Sequence, residues 1–233
     1  KGDRVVIGGS WDGKVYMWDI SDANPVRVLT GHPAPVKKIA SFETRHGKSL
    51  VSGCNNGELW VWDLKRFTVI HKVQAHLETV CHLKIHGGIL MSSGKDTSNG
   101  RKSSSVKIWD RDMKSVDEVQ TGQEFVNKIF VFQNRFLVTA STQAVEVWDK
   151  DSNKTVVEKR QNNDIVVSVT PLNSDTLLVA KSREVKMIRY VNKKMFLLKS
   201  LHKFRMQMGY PPVIVKYIFE TLMGNNVQEK SSS

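Results

Sequence analysis

Cysteine is scarce in this chain: Cys54 and Cys81 are the only two in 233 residues. Cys54 borders a tight turn, Cys81 falls within a strand-like run, and neither has neighbours at metal-ligand spacing. Neither a disulfide framework nor a metal site is expected, and no cofactor. Such cysteine use fits a reducing, intracellular setting, cytoplasmic or nuclear. Long apolar runs are missing too. No stretch reaches 18 uninterrupted apolar residues, so no transmembrane segment is expected. A phosphate-cradling glycine loop is absent, because the Gly8–Gly13 run reads as a hairpin and not as a strand-to-helix turn. Signal-peptide character is absent as well: Lys1 is followed at once by the strand-like run from Arg4 to Ile7. The chain is therefore expected to continue upstream.

Acidic residues are in deficit. Thirty-five Lys and Arg face 23 Asp and Glu, a formal charge of +12. The excess concentrates between Lys181 and Arg205, where Glu184 is the one acidic residue. Such a stretch attracts nucleic acid or anionic lipid. The alternation of Lys186 and Arg189 with Val185, Met187 and Ile188 reads instead as the solvated face of a strand, and that reading is preferred. Tyr190 and Phe196 are thin support for base stacking.

What the sequence has in quantity is a repeated phrase. An apolar strand, a small polar turn and a strand ending in Trp-Asp recur at Trp18-Asp19, Trp62-Asp63, Trp109-Asp110 and Trp148-Asp149. Period-two alternation continues with no helical period until about residue 202, which argues for an all-β fold. The second repeat is the most complete: strands over 36–40, 49–53, 59–63 and 68–73, with Asn55-Asn56-Gly57 as a hairpin turn. The first offers 5–9 and 15–18 around Asp12-Gly13. The third offers 80–85, 89–92 and 106–109, and residues 97–104 read as an inserted flexible loop carrying Arg101 and Lys102. The fourth offers 126–131, 136–139, 145–148 and 155–158. The fifth offers 165–170, 176–180, 184–188 and 195–201, with Ile188-Arg189 in place of Trp-Asp.

Gly31-His32 followed by the Ser52–Asp63 run SGCNNGELWVWD resembles the WD-repeat β-propeller family, over about residues 4–201. The resemblance implies a partial propeller of about five four-stranded blades, the first incomplete. It also implies a hydrogen-bonded chain of His, Ser, turn Asp and Trp inside a blade. The matching residues are His76, Ser92, Asp96 and Trp109 in the third repeat. In the second they are His32, Ser52 and Trp62, where Asn56 replaces the Asp and the network should be weaker. The first retains Asp12 and Trp18. The fourth and fifth repeats lack the set and are expected to rest on packing alone.

Ser92, His76 and Asp96 superficially compose a hydrolase triad, but the repeat places them where the family buries a structural network. His82 and His86 share one strand face and have no further ligand. No enzyme activity is expected. The expected function is a protein-interaction scaffold, with anion binding through the basic C-terminal half as the alternative. Candidate partner contacts are Trp11, Trp60, Arg101 and Lys102, since exposed Trp and Arg dominate interface energetics; for Trp11 packing on the neighbouring blade is the preferred alternative, and for Trp60, on one strand face with Trp62, packing between blades.

Residues 202–233 form a second unit. A helical stripe of Val215, Ile218, Phe219 and Leu222 follows the Pro211-Pro212 pair. The string from Met208 to Val227 resembles a ubiquitin-associated domain, truncated after its second helix. That resemblance implies ubiquitin contacts through Met208, Gly209, Tyr210 and Leu222, and a role in a ubiquitin pathway.

Overall fold

The computed structural model describes residues 5–21, 24–97, 103–149, 155–159, 165–173, 176–182, 184–191 and 194–197. Among them every regular element is a strand. The first sheet holds β1 (Val5–Gly9), β2 (Val15–Asp19) and β3 (Pro25–Leu29). The second holds β4 (Val36–Thr44), β5 (Gly47–Cys54), β6 (Glu58–Asp63) and β7 (Thr68–Gln74). The third holds β8 (Val80–His86), β9 (Ile89–Lys95), β10 (Ser104–Trp109) and β11 (Ser115–Thr121). The fourth holds β12 (Lys128–Phe132), β13 (Phe136–Ala140), β14 (Ala144–Asp149) and β15 (Thr155–Lys159). The fifth holds β16 (Val166–Pro171), β17 (Thr176–Lys181), β18 (Val185–Val191) and β19 (Lys194–Leu197).

Each sheet is an antiparallel meander whose strands neighbour one another in chain order. The leading strands β4, β8 and β12 lie side by side and form an inner wall, with β1 against β4. This is blade-on-blade packing, a partial propeller of five sheets. Its core lies between blades. Val15, Met17, Leu29, Val36, Trp60 and Trp62 fill the first junction, and Phe42, Val61, Val80, Leu83, Leu90 and Trp109 fill the second. Phe130, Val138, Val145, Val169, Leu177 and Ile188 fill the last.

The local sequence explains the repeat. Gly57 closes the β5–β6 turn at φ +85, and a side chain there would run into the His76 carbonyl oxygen. Glycine alone meets both demands without strain. One residue before the Trp of β2, β6 and β10 the pairing with the outer strand slips by a residue. Such bulges increase local twist.

Several strands exceed the sequence reading. β3 and β11 were not expected; both are mostly exposed outer strands with little alternation to betray them. β4 runs four residues beyond its expected end and β5 begins two residues before its expected start, and their hairpin turn reaches Arg45, which pairs with Asp112 of the next blade at 3.2 Å. The third-repeat insertion is shorter than expected. Ser104 and Ser105 belong to β10 and are fully buried, so the loop ends at Ser103. Arg101 and Lys102, and all of residues 198–233, lie outside the described residues.

Candidate functional site

The most elaborated polar constellation is inside the third blade. β9 supplies Ser92, β10 supplies Ser105 and Trp109, the β7–β8 loop supplies His76, and the β9–β10 turn supplies Asp96. The Trp109 indole donates to Ser92 Oγ at 2.9 Å, and Ser92 Oγ lies 2.9 Å from His76 Nε2. His76 Nδ1 lies 3.1 Å from Asp96 Oδ2. One assignment satisfies every member: indole N–H to Ser92, Ser92 hydroxyl to Nε2, and Nδ1–H to the carboxylate. Asp96 accepts three more bonds, from the Leu77 amide at 2.9 Å, the Ser105 amide at 3.2 Å and the Ser105 hydroxyl at 2.5 Å. Burial alone would raise its pKa; the bonds from His76, Ser105 and Leu77 outweigh that and hold it down at about 2. Ser105 is thus a fifth member that the sequence reading placed next to the loop, because TSNGRKSSS has the composition of a linker throughout.

This arrangement is unsuited to nucleophilic catalysis. Ser92 is fully buried and its hydroxyl is engaged by the indole on one side and the imidazole on the other. A hydrolytic serine needs an open face and oxyanion donors.

The second blade holds a shorter chain. Trp62 donates to Ser52 Oγ at 2.7 Å, and Ser52 Oγ lies 2.6 Å from His32 Nε2. There it stops. Asn56 Oδ1 is taken by Cys54 Sγ and the Glu58 amide, and His32 Nδ1 is buried with no partner. Burial first, opposed by Glu58 and aided by Lys72, pushes the His32 pKa down to about 4. In the first blade the Asp12 carboxylate accepts from the Tyr16 hydroxyl at 2.7 Å, and Tyr16 stacks on Trp18 at 5.5 Å.

The expectation that the later blades rest on packing alone is corrected in both. In the fourth, Gln123 Nε2 donates to Thr139 Oγ1 at 3.0 Å, both residues buried. Gly122-Gln123 stands where Gly31-His32 stands two blades earlier, a signal a strict Gly-His search passes over. In the fifth, Lys181 Nζ and Lys186 Nζ approach Glu184 Oε1 at 3.6 and 3.3 Å. Lys181 is fully buried and Lys186 is 8 % exposed, so Lys186 is not on a solvated face as its alternation had implied. Two cations of the basic run are spent inside the fold.

The candidate partner contacts separate sharply. Trp11, on the β1–β2 turn, is 77 % exposed, with Lys37 Nζ 3.7 Å from its ring centroid. Trp60 is 4 % exposed, packed on His32 at 4.2 Å and bonded to Glu58 at 3.0 Å. It is a core residue and not a partner contact. Its place on the same strand face as Trp62 buries both at one junction. Met208, Gly209, Tyr210 and Leu222 lie outside the described residues. Among the described residues no group of three or more His, Cys, Asp or Glu is placed to hold a metal ion, and no helix is long and apolar enough to cross a membrane.

Residues 23–63 match the family model described as WD domain, G-beta repeat. Residues 23–63 carry a WD repeat. The matched segment takes in β3 and β4 to β6, so one sequence repeat straddles two sheets and ties the outer strand of one blade to the next. Among curated proteins the chain is similar to the U3 small nucleolar RNA-associated protein 15 homolog of Gallus gallus. The two are 24% identical over 175 residues, 73% of this chain and 32% of that protein. It is also similar to the nuclear distribution protein nudF of Aspergillus niger, 26% identical over 65% of this chain and 34% of that protein. The chain thus spans about a third of the length of these relatives. Among solved structures, a chain of the Crystal Structure of Mitotic Checkpoint Complex superposes with a TM-score of 0.64 at 20% identity. That match covers 86% of this chain and 65% of that one, and supports the propeller fold.

Proposed function

We propose that this chain is the WD-repeat portion of a non-catalytic protein-interaction scaffold working inside the cell, and that it holds partners on the rim carrying Trp11. The observation that carries this reading is an exposed aromatic side chain held in place. A Trp exposed to 77 % has no folding role that burial would supply, while Lys37 above its ring restricts its rotamers. An anchor already ordered loses less entropy on binding. The same rim carries Leu77, 62 % exposed in the β7–β8 loop. The WD repeats of the relatives support a scaffold role at the level of the family.

The test compares the 233-residue chain with Trp11→Ala. Circular dichroism should be unchanged, and partners crosslinked at moderate salt after nuclease treatment should be lost from the variant. Partners that Trp11→Ala retains would sink the rim assignment. Partners that all vanish with nuclease and salt would favour the anion-binding alternative, whose C-terminal run already commits Lys181 and Lys186 to Glu184. Ubiquitin as a partner rests on the resemblance of residues 208–227. Its check is an NMR titration of labelled ubiquitin, with shifts confined to the hydrophobic patch and lost on Met208→Ala.

A further inference from the structure

The inner wall carries a pattern that neither the scaffold reading nor the WD-repeat network uses. In the second to fifth blades, one residue of the leading strand pairs with the residue just after the network position of the second strand. These pairs are Lys38 with Gly53, His82 with Ser93, Lys128 with Ala140 and Ser168 with Ala180. Lys38, His82, Lys128 and Ser168 therefore occupy one and the same position in four successive blades. Two residues along β8 from His82, on the same strand face, stands Lys84. Since β4 lies beside β8 and β8 beside β12, the side chains of the second, third and fourth blades share one stretch of wall.

Their chemistry is uniform. Lys38 and Lys84 are exposed and have no ion-pair or hydrogen-bond partner among the described residues. Lys128 is half-buried, its ammonium held by the Val169 carbonyl at 2.6 Å. Ser168 is exposed. The His82 ring sits between them with Nδ1 buried and without a partner. Burial and then the charges of Lys38, Lys84 and Lys128 push its pKa down to about 4, so all three ammonium groups bear on this one ring, and among the described residues no carboxylate raises it again. Folding gains nothing from gathering three like charges this way. Unpaired cations from separate blades around an unsatisfied imidazole are costly to keep unless an anion joins them.

We propose that the inner wall formed by Lys38, His82, Lys84 and Lys128, with Ser168 beside it, binds a small soluble polyphosphate. Several ammonium groups on different blades suit an anion with several separated charges better than a single carboxylate. The aromatic ring beside these groups, Phe130, whose centroid lies 5.9 Å from Lys128 Nζ, is buried and offers no open face to stack a base, which disfavours RNA. Binding would tie neighbouring blades together through their inner strands.

The experiment uses the 233-residue chain and inositol hexakisphosphate as probe, by isothermal titration calorimetry at ~150 mM salt, where non-specific attraction is screened. One saturable site is expected. Lys38→Met with Lys84→Met should weaken it about tenfold or more, the scale of lost charge-assisted bonds. Both side chains are exposed, so this pair leaves the fold in place, and Lys38→Arg with Lys84→Arg should retain binding. The control pair Lys65→Met and Lys114→Met, exposed in the turns after β6 and β10, should leave affinity unchanged. Vesicles bearing a phosphoinositide should compete weakly or not at all. Four results overturn the proposal: no saturable binding at millimolar probe, equal loss in the control pair, tighter binding to the vesicles, or tighter binding to single-stranded RNA of matched charge.

Discussion

Asp96→Asn isolates what the carboxylate contributes to the third blade. The substitution keeps the shape but removes the charge that four hydrogen bonds converge on, from His76, Leu77 and twice from Ser105. Those bonds hold the folded-state pKa at about 2 against an ordinary value of 3.8. At 1.36 kcal/mol per unit, that difference corresponds to about 2 kcal/mol of folding free energy. The side chain is 14% exposed, so solvent screening takes little from this figure. The sign follows from the direction of the shift. A depressed carboxylate pKa gives stability that is fully present above the unfolded value and disappears as pH falls from about 4 to about 2. Urea denaturation of the wild type and of Asp96→Asn should therefore differ by about 2 kcal/mol at pH 7. The gap should narrow by most of that amount by pH 2.5. A gap that stays constant across this window would refute the reasoning, because it would mean that the loss came from shape or from the misplaced amide and not from the charge.

Other perturbations separate the remaining contributions. Trp109→Ala removes a 2 % exposed ring and the donor to Ser92, and should cost about 3–5 kcal/mol by thermal or chemical denaturation. Gly94→Ala places a methyl against the His76 ring, so stability should fall by about 1–3 kcal/mol or more, with the blade-three network the first thing lost in hydrogen exchange. Gln123→Ala strands the Thr139 hydroxyl and should cost about 1–3 kcal/mol, whereas a fourth blade held by packing alone would lose little. Asn56→Asp should be neutral or stabilising by up to about 1 kcal/mol, since the aspartate keeps the acceptor for the Glu58 amide and Cys54 thiol; a net loss of stability in a urea titration would count against it.

Most of the blade framework was legible because it rests on two local rules, alternation and turn chemistry. Val15, Val61, Val106 and Val147, all nearly fully buried, sit one or a few residues before the repeating Trp-Asp, and the strand bearing each was found from that phrase. The outer strands β3 and β11 were hidden because one face meets solvent and the other is only partly covered. SVDEVQT carries no pattern that separates it from a loop. Ser104 and Ser105 were misread for a similar reason. Serine composition signals a flexible linker, yet here two serines are buried because Ser105 serves Asp96 and the Ser104 carbonyl accepts from Thr121 at 2.9 Å. For Trp60, sharing one strand face with Trp62 favoured packing between blades over a partner contact, and the side chain is 4 % exposed. Whether an aromatic side chain two residues from another is core or contact depends on which blade lies opposite, and that is a tertiary fact.

The blades differ in how their polar interiors are satisfied, and this orders their resistance to local opening. The third blade closes its His–Ser–Trp chain with an acidic residue, while His82 Nδ1 and Ser104 Oγ, outside that chain, are buried without a partner. The second leaves His32 Nδ1 without a partner, a desolvated group that must be offset by the surrounding Trp60 and Trp62 contacts. The fourth uses Gln123 and Thr139, leaving the Trp148 indole nitrogen buried and unmatched. The fifth replaces the chain by two lysines around Glu184, an arrangement whose desolvation cost rivals its attraction. An unsatisfied buried donor costs roughly 1–3 kcal/mol, enough to set neighbouring blades apart in opening free energy. Amide protection should therefore be greatest in β9 and β10, next in β5 and β6, and lower in β13 and β14. The order follows from how far the polar chain around the Trp is closed in each blade; protection highest in the fourth sheet would show that apolar packing at the junctions, and not the polar chain, governs how firmly each blade is held.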